Sequence, residues 1–231
     1  RPIREGRVAN YPLTESLARE ALSMARGGSG LTRPRVLLCV PQGIDETDRR
    51  ALQDSVREAG AKEVQLLPKS VAAAVGAELP IHEAAASMVI DMGGGSTEFC
   101  TMSLGGVVEL SSARIGGYTL DAAIAGWIRE RHGLLVGERS TEDLKIAIGT
   151  ADANQRPRAM RIRGRDINNA VPREIEFLST DVQAAIQPAL AGFVEGVRQS
   201  MISLSPDLVG DISQQGIVLT GGTSLLHGIG S

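Results

Sequence analysis

Apolar residues recur at helical spacing near the start of the chain and then gather into short unbroken runs. Leu17, Ala18, Ala21, Leu22 and Ala25 share one face of a helix over 15–25, which Gly27-Gly28-Ser29-Gly30 ends. The run Arg35-Val-Leu-Leu-Cys-Val40 predicts a fully buried strand with Pro41-Gln-Gly as its turn. A helix over 45–59 follows, with Asp45 as N-cap, then a strand over 64–67 and a short Ala-rich helix over 71–77. This strand-helix-strand-helix order suits a parallel α/β sheet.

A different rhythm starts near Ser87. Strands over 88–91, 96–103 and 107–114 are joined by Gly93-Gly94-Gly95 and by Gly105-Gly106, a two-residue hairpin signal, and read as a meander. Helices are expected over 118–131 and 141–148, and a small hairpin from 159–163 with 175–178. That hairpin carries Arg161, Arg163 and Arg165, whose alternation puts them on one strand face. The simplest account is a solvated sheet face; contact with phosphate or an acidic protein is the alternative. Val182, Ile186, Leu190, Phe193, Val197 and Met201 form a core-facing stripe over 181–201, in which Pro188 predicts a kink or break. A buried strand over 216–220 runs into Gly221-Gly222-Thr223, and a new helix is expected after Leu225.

Composition narrows the field. With 231 residues, 42% apolar and 22% charged, the chain is long enough for a sizeable core and has a globular balance. Its net charge of −3 supplies no global field for nucleic acid or anionic lipid. Cys39 and Cys100 lie in apolar strand-like runs and read as buried free thiols of a reducing cytoplasm. His82, His132 and His227 lack metal-ligand spacing and read as surface or capping residues. No apolar run approaches the ~20 residues of a spanning helix. The opening Arg-Pro-Ile-Arg and the stop soon after Leu225 read as the ends of a fragment.

The candidate chemistry lies in the glycines. Gly93, Gly94 and Gly95 follow an apolar strand and precede Ser96 and Thr97, so consecutive N–H groups can converge on an anion. Asp91, at the strand end, is placed to hold a hydrated Mg²⁺ beside that anion. An unliganded tight hairpin is the plainer reading of the same residues. Two more glycine turns follow apolar strands, at Gly116-Gly117 and Gly221-Gly222, and ligands of α/β sheets bind at such strand ends. Glu142 and Lys145, three apart on one helix face, can flank a ligand or pair with each other.

The order Asp-x-Gly-Gly-Gly-Ser-Thr, Ile-Gly-Gly, Glu142-x-x-Lys145 and Leu-Thr-Gly-Gly-Thr resembles the actin-like ATPases, above all the bacterial actin MreB/Mbl family. Arg35-Val-Leu-Leu-Cys-Val-Pro41, Ala72-Ala-Ala-Val-Gly76, Gly137-Glu138 and Val171-Pro172-Arg173 extend the likeness along nearly the whole chain. The resemblance implies an actin-like, ribonuclease H-like α/β fold. It divides the chain into a partial first lobe over 1–86, a remnant of subdomain IA, and a second lobe over 87–231. That second lobe is IIA, with a IIB insertion at about 127–190.

It further implies ATP and Mg²⁺ as ligands. Gly93, Gly94, Gly95, Ser96 and Thr97 would form the second phosphate loop and Asp91 would reach the metal through water. Gly116 and Gly117 would approach ribose and phosphates, Glu142 and Lys145 ribose and adenine, and Gly221, Gly222 and Thr223 would form the adenosine loop. The partners implied are the chain itself or full-length MreB filaments, the membrane periphery and the cell-wall synthesis machinery, with no nucleic acid; the place implied is the cytoplasm or the membrane's inner face.

Departures from the family pattern qualify this. The first Asp-x-Gly-Thr-like phosphate loop has no copy here. Where the family carries Glu-Glu-Pro before its Ala-rich helix, this chain has Pro68-Lys69-Ser70, so the water-positioning Glu is lost and ATP hydrolysis is expected to be very weak. The loop matching the family's apolar membrane insertion, Gly30-Leu31-Thr32-Arg33-Pro34, offers one large apolar side chain, whose burial contributes about 2 kcal/mol, too little to hold a monomer on lipid. The leading expectation is an MreB/Mbl-like cytoskeletal protein of cell-shape and cell-wall morphogenesis. The alternative is a truncated, non-hydrolysing paralogue that modulates a full-length filament, and a phosphotransferase or chaperone ATPase of the same superfold ranks last.

Overall fold

The computed structural model describes residues 2–4, 7–26 and 33–231. Strands β1 (Ile3–Arg4) and β2 (Arg7–Val8) pair antiparallel and lead into helix α1 (Tyr11–Arg26), longer than its apolar stripe because Asn10 Oδ1 accepts the Leu13 N–H and caps the first turn. The expected glycine turn at 27–30, and residues 30–32 of the membrane-loop reading, lie outside the described residues.

Strand β3 (Arg35–Val40), helix α2 (Glu46–Glu58), strand β4 (Glu63–Pro68) and helix α3 (Lys69–Gly76) follow the expected order. β3 and β4 pair in parallel from Arg35↔Glu63 to Val40↔Pro68. Asp45 caps α2, its Oδ1 accepting the Asp48 N–H at 2.8 Å. The inner face of this two-stranded sheet closes over Val56, Ala61 and Val64 with Ala18, Leu22, Val36 and Leu38. β3 is not fully buried, however. Leu37 is 60% exposed and Cys39 is an exposed free thiol, because the described helices cover one face only.

The second sheet is sandwiched. Strand β5 (Ser87–Met92) lies between β6 (Thr97–Ser103), with β7 (Gly106–Ala113) beyond it, and β11 (Ile217–Thr220), in the order β11-β5-β6-β7. β11 runs parallel to β5 and the meander is antiparallel. The β6–β7 turn is one residue earlier than expected: Leu104 (φ 52) and Gly105 (φ 75) are its tip and Ser103 pairs with Gly106. One face of the sheet receives α3, packed through Ala74 on Val89, Cys100 and Met102.

The other face receives helices α4 (Gly117–His132), α5 (Glu138–Ile148) and α6 (Ser179–Ile202), whose Leu120, Ile124, Leu144, Ile186 and Phe193 join Ile90, Met92 and Phe99 in the main core. Strand β8 (Leu134–Leu135) separates α4 from α5 and pairs with β9 (Ala159–Asp166), which forms a hairpin with β10 (Pro172–Leu178). On that hairpin Glu174 answers the arginine face, 2.6 Å from Arg163 and 3.6 Å from Arg161.

α6 runs unbroken through Pro188, so of the expected kink or break the break does not occur. Helix α7 (Pro206–Gln215) precedes β11. The helix expected after Leu225 is absent too: a 3₁₀ turn, Gly222–Leu225, gives way to a bridge between His227 and Thr150. Among the described residues no helix is long and apolar enough to cross a membrane.

Candidate functional site: three laced glycine turns

Each glycine turn lies at a strand end and their backbones are tied together. Residues 93–96 close the β5–β6 hairpin, with Gly93 N–H donating to the Ser96 carbonyl at 2.9 Å. The start of α4 then caps this loop: Gly117 N–H donates to the Gly93 carbonyl at 3.0 Å and Tyr118 N–H to the Gly94 carbonyl at 2.8 Å. Two helix N-terminal donors, the usual anion-facing groups, are thereby spent inside the fold. Gly116 has to be glycine, since a Cβ there would lie 2.5 Å from the Gly94 carbonyl oxygen and 2.6 Å from that of Gly93. The third turn locks onto the same carbonyl, Thr223 Oγ1 donating to the Gly93 oxygen at 2.9 Å. Gly221, at φ 83, lets the backbone pass where a Cβ would meet the Met92 oxygen at 2.5 Å and Asp91 Oδ1 at 2.6 Å.

Beside these turns opens a cavity of about 490 Å³, within the usual range of small-molecule sites. Gly94, Gly117, Glu142, Lys145, Gly222 and Thr223 line it, which brings together one or more residues from each predicted motif. Its rim is apolar and exposed: Ile146 is 73% and Leu225 85% accessible, with the Tyr118 ring folded over Gly94. Lys145 does not pair with Glu142 as its spacing allows. Its Nζ lies 2.8 Å from Asp121 Oδ1 and donates to the Gly117 carbonyl at 3.1 Å, which fixes α5 to α4. Tyr118, Ile146, Arg158, Leu225 and His227 also line the cavity and belong to none of the predicted motifs. Arg158 reaches the cavity from the segment before β9, a long-range approach with no local signature, whereas Tyr118 directly follows the Gly116-Gly117 turn and was findable.

The remaining expected residues lie elsewhere. Asp91, Gly93, Gly95, Ser96, Thr97, Gly116 and Gly221 are not among the cavity's lining. Thr97 is fully buried, with its hydroxyl donating to the Ile115 carbonyl at 2.8 Å, so its proton is used in joining the first turn to the second.

Asp91 meets a cation of the chain itself. Lys69 Nζ lies 3.1 Å from Asp91 Oδ2 and 3.7 Å from Glu98 Oε1. Glu98 is completely buried, its Oε1 accepting the Gln42 N–H at 2.9 Å, while Oε2 has no hydrogen-bond partner. This is not a donor set that fits Mg²⁺. A hydrated divalent ion needs a carboxylate open to its waters, and here an ammonium already holds that position and repels a second cation.

Comparison with known proteins follows the same lines. The family model described as MreB/Mbl protein matches residues 1–231. The cell shape-determining protein MreB of Escherichia coli strain K12 is 41% identical over 230 residues, covering 99% of this chain and 66% of that protein. The Mbl protein of Bacillus cereus is 34% identical over 229 residues, covering 99% and 69%. The crystal structure of MreB5 of Spiroplasma citri bound to ADP superposes with a TM-score of 0.90 at 29% identity over 98% of this chain and 68% of that one; the same protein is also known bound to AMPPNP. The chain thus spans about two thirds of the length of the E. coli relative. It has the actin-like fold and belongs to the MreB/Mbl family.

Proposed function

We propose that this chain is a nucleotide-binding, actin-like cytoskeletal protein of cell-shape and cell-wall morphogenesis, and that the cavity among its three glycine turns holds the nucleoside part of ATP or ADP. The observation carrying this reading is the cavity's construction: apolar, exposed Ile146 and Leu225 at the rim suit a purine, while Glu142, Lys145 and Arg158 supply charged groups for ribose and phosphate. The nucleotides bound by the Spiroplasma relative support it. Gly94 lines this cavity, and the loop it belongs to, Gly93, Gly94, Gly95 and Ser96, is the phosphate side of the proposed site; Gly222 and Thr223, also in the lining, close its nucleoside side. Equilibrium binding of a fluorescent ATP analogue tests the reading: saturable binding displaced by ATP is expected, and its absence overturns it.

The alternative of a non-hydrolysing paralogue that modulates a full-length filament is favoured by one feature, the replacement of the water-positioning acid by Pro68 and Lys69. Neither side chain can orient a water for attack or accept its proton. Phosphate release is therefore expected to stay near background, and turnover at a rate normal for the family would sink this alternative. Sedimentation separates the two readings: a self-assembling protein pellets with nucleotide on its own, a modulator only with a full-length relative. The membrane surface and cell-wall synthesis machinery remain proposed partners on the strength of the chain's resemblance to the MreB/Mbl family, with co-sedimentation on anionic vesicles as the check for the first.

A further inference from the structure

Lys69 starts α3 directly after β4, and β4 delivers it to the foot of the β5–β6 hairpin. Besides its two carboxylate partners, its Nζ lies against the glycine loop: a Cβ built on Gly93 would be 3.2 Å from it. The group is largely shielded, with 21% of the Lys69 side chain and 14% of the Asp91 side chain accessible. An ammonium has three N–H donors. Asp91 and Glu98 face two of them, at 3.1 and 3.7 Å, and the third is free for an oxyanion on the loop side. Glu98 explains why the cation is kept: a fully buried carboxylate with one oxygen lacking any hydrogen bond is costly without a nearby positive charge.

We propose that Lys69 is the resident counter-cation of the phosphate side, and that this chain takes a nucleoside di- or triphosphate without a divalent metal. The inference deepens the nucleotide reading and rests on it. The ammonium occupies the place beside Asp91 that a hydrated metal ion would need, and it supplies a charge-assisted hydrogen bond directly to a phosphate oxygen. Two carboxylates against one ammonium leave the cluster with a net negative charge. Binding is therefore expected to be moderate in strength and to weaken with salt.

The experiment is a titration of a fluorescent ATP analogue into the chain in two buffers, one with Mg²⁺ and one with EDTA, repeated on Lys69→Ala and Lys69→Arg. The expected result is a Kd that differs by no more than about threefold between buffers for the unaltered chain and for Lys69→Arg, with a loss of about tenfold or more for Lys69→Ala in EDTA. Binding by the unaltered chain that disappears in EDTA overturns the inference and leaves the nucleotide reading standing. Absence of binding in both buffers overturns the nucleotide reading and this inference with it. The two-buffer comparison needs no variant, so it decides even where Lys69→Ala, by leaving Glu98 uncompensated, fails to fold.

Discussion

Strands β3 and β5 are both mostly apolar in sequence but differ in what covers them. Val89 and Ile90 of β5 are buried, one against α3 and the other against the helices of the opposite face. Leu37 and Cys39 of β3 stand exposed on the uncovered side of a two-stranded sheet. The difference teaches that a continuous apolar run records what a strand is able to bury, while the burial it reaches depends on the layers around it. It also makes the region from Ser87 onward the mechanical base of the candidate site. The turn at Gly93, the start of α4 and the turn at Thr223 are all anchored there.

The strongest test of this contrast is truncation on each side of it. Phe99→Ala removes a ring that is 1% exposed in the main core and is expected to cost about 3–5 kcal/mol by urea unfolding. Leu37→Ala, on the bare face, is expected to change stability by no more than about 0.5 kcal/mol. Comparable losses at the two positions would mean that β3 is covered after all. Next in size, Gly116→Ala forces a methyl group against two backbone carbonyls, which cannot swing aside as a side chain can. A cost of about 1–3 kcal/mol is expected, together with weakened nucleotide-analogue binding, because the same shift parts the first turn from the second.

Much of this architecture was legible in the sequence. Periodicity located α2, β4, α6 and the β5–β6–β7 meander, since each depends on neighbours close in the chain. The motif glycines were legible too, because a Cβ is sterically excluded at Gly116 and Gly221. What escaped were relations across long separations. Glu98 and Gln42 are 56 positions apart, and the Lys69 ammonium reaches Asp91 and Glu98 only when β4 is laid beside the second sheet. Read locally, Lys69 is merely the wrong charge for a general base; in place, it is the cation beside Asp91 and the Gly93 turn. The helix continues through Pro188 for a related reason: the local cost of the proline to α6 is outweighed by the apolar face that the helix buries on both sides of it.

The two thiols sharpen the comparison chemically. Cys39 is exposed, and Cys100 lies at 0% accessibility with burial pushing its thiol up to about 11, helped by the nearby carboxylates of Glu109 and Glu98. Raising a thiol from 9 to about 11 lowers its thiolate fraction near neutral pH about a hundredfold, before any steric protection is counted. Labelling with a maleimide in native buffer is expected to modify Cys39 rapidly and Cys100 only on unfolding, as peptide mass mapping would show. Equal labelling would place both strands in the same environment and erase the distinction drawn between them.

The smallest expected effect concerns acid. On the outer face of α6, Arg198 and then Gln199 donate hydrogen bonds to Glu195 and hold its carboxyl down to about 2. On β10, the hydrogen bond from Arg163 lowers Glu174 in the same direction. A carboxyl whose folded-state value lies below its ordinary 4.5 contributes stability that is complete above that value and fades as pH falls toward 2. Both acids lie in the region from Ser87 onward, so mild acid should loosen that region through them. Because the Glu195–Arg198 pair is open to solvent, the change should be slight and should shrink further in about 0.5 M salt. A melting curve followed from pH 5 to pH 2 should fall slightly more steeply for the unaltered chain than for Glu195→Gln. Identical slopes would show that the contact on α6 is too well solvated to contribute, and that the region's stability resides in its core alone.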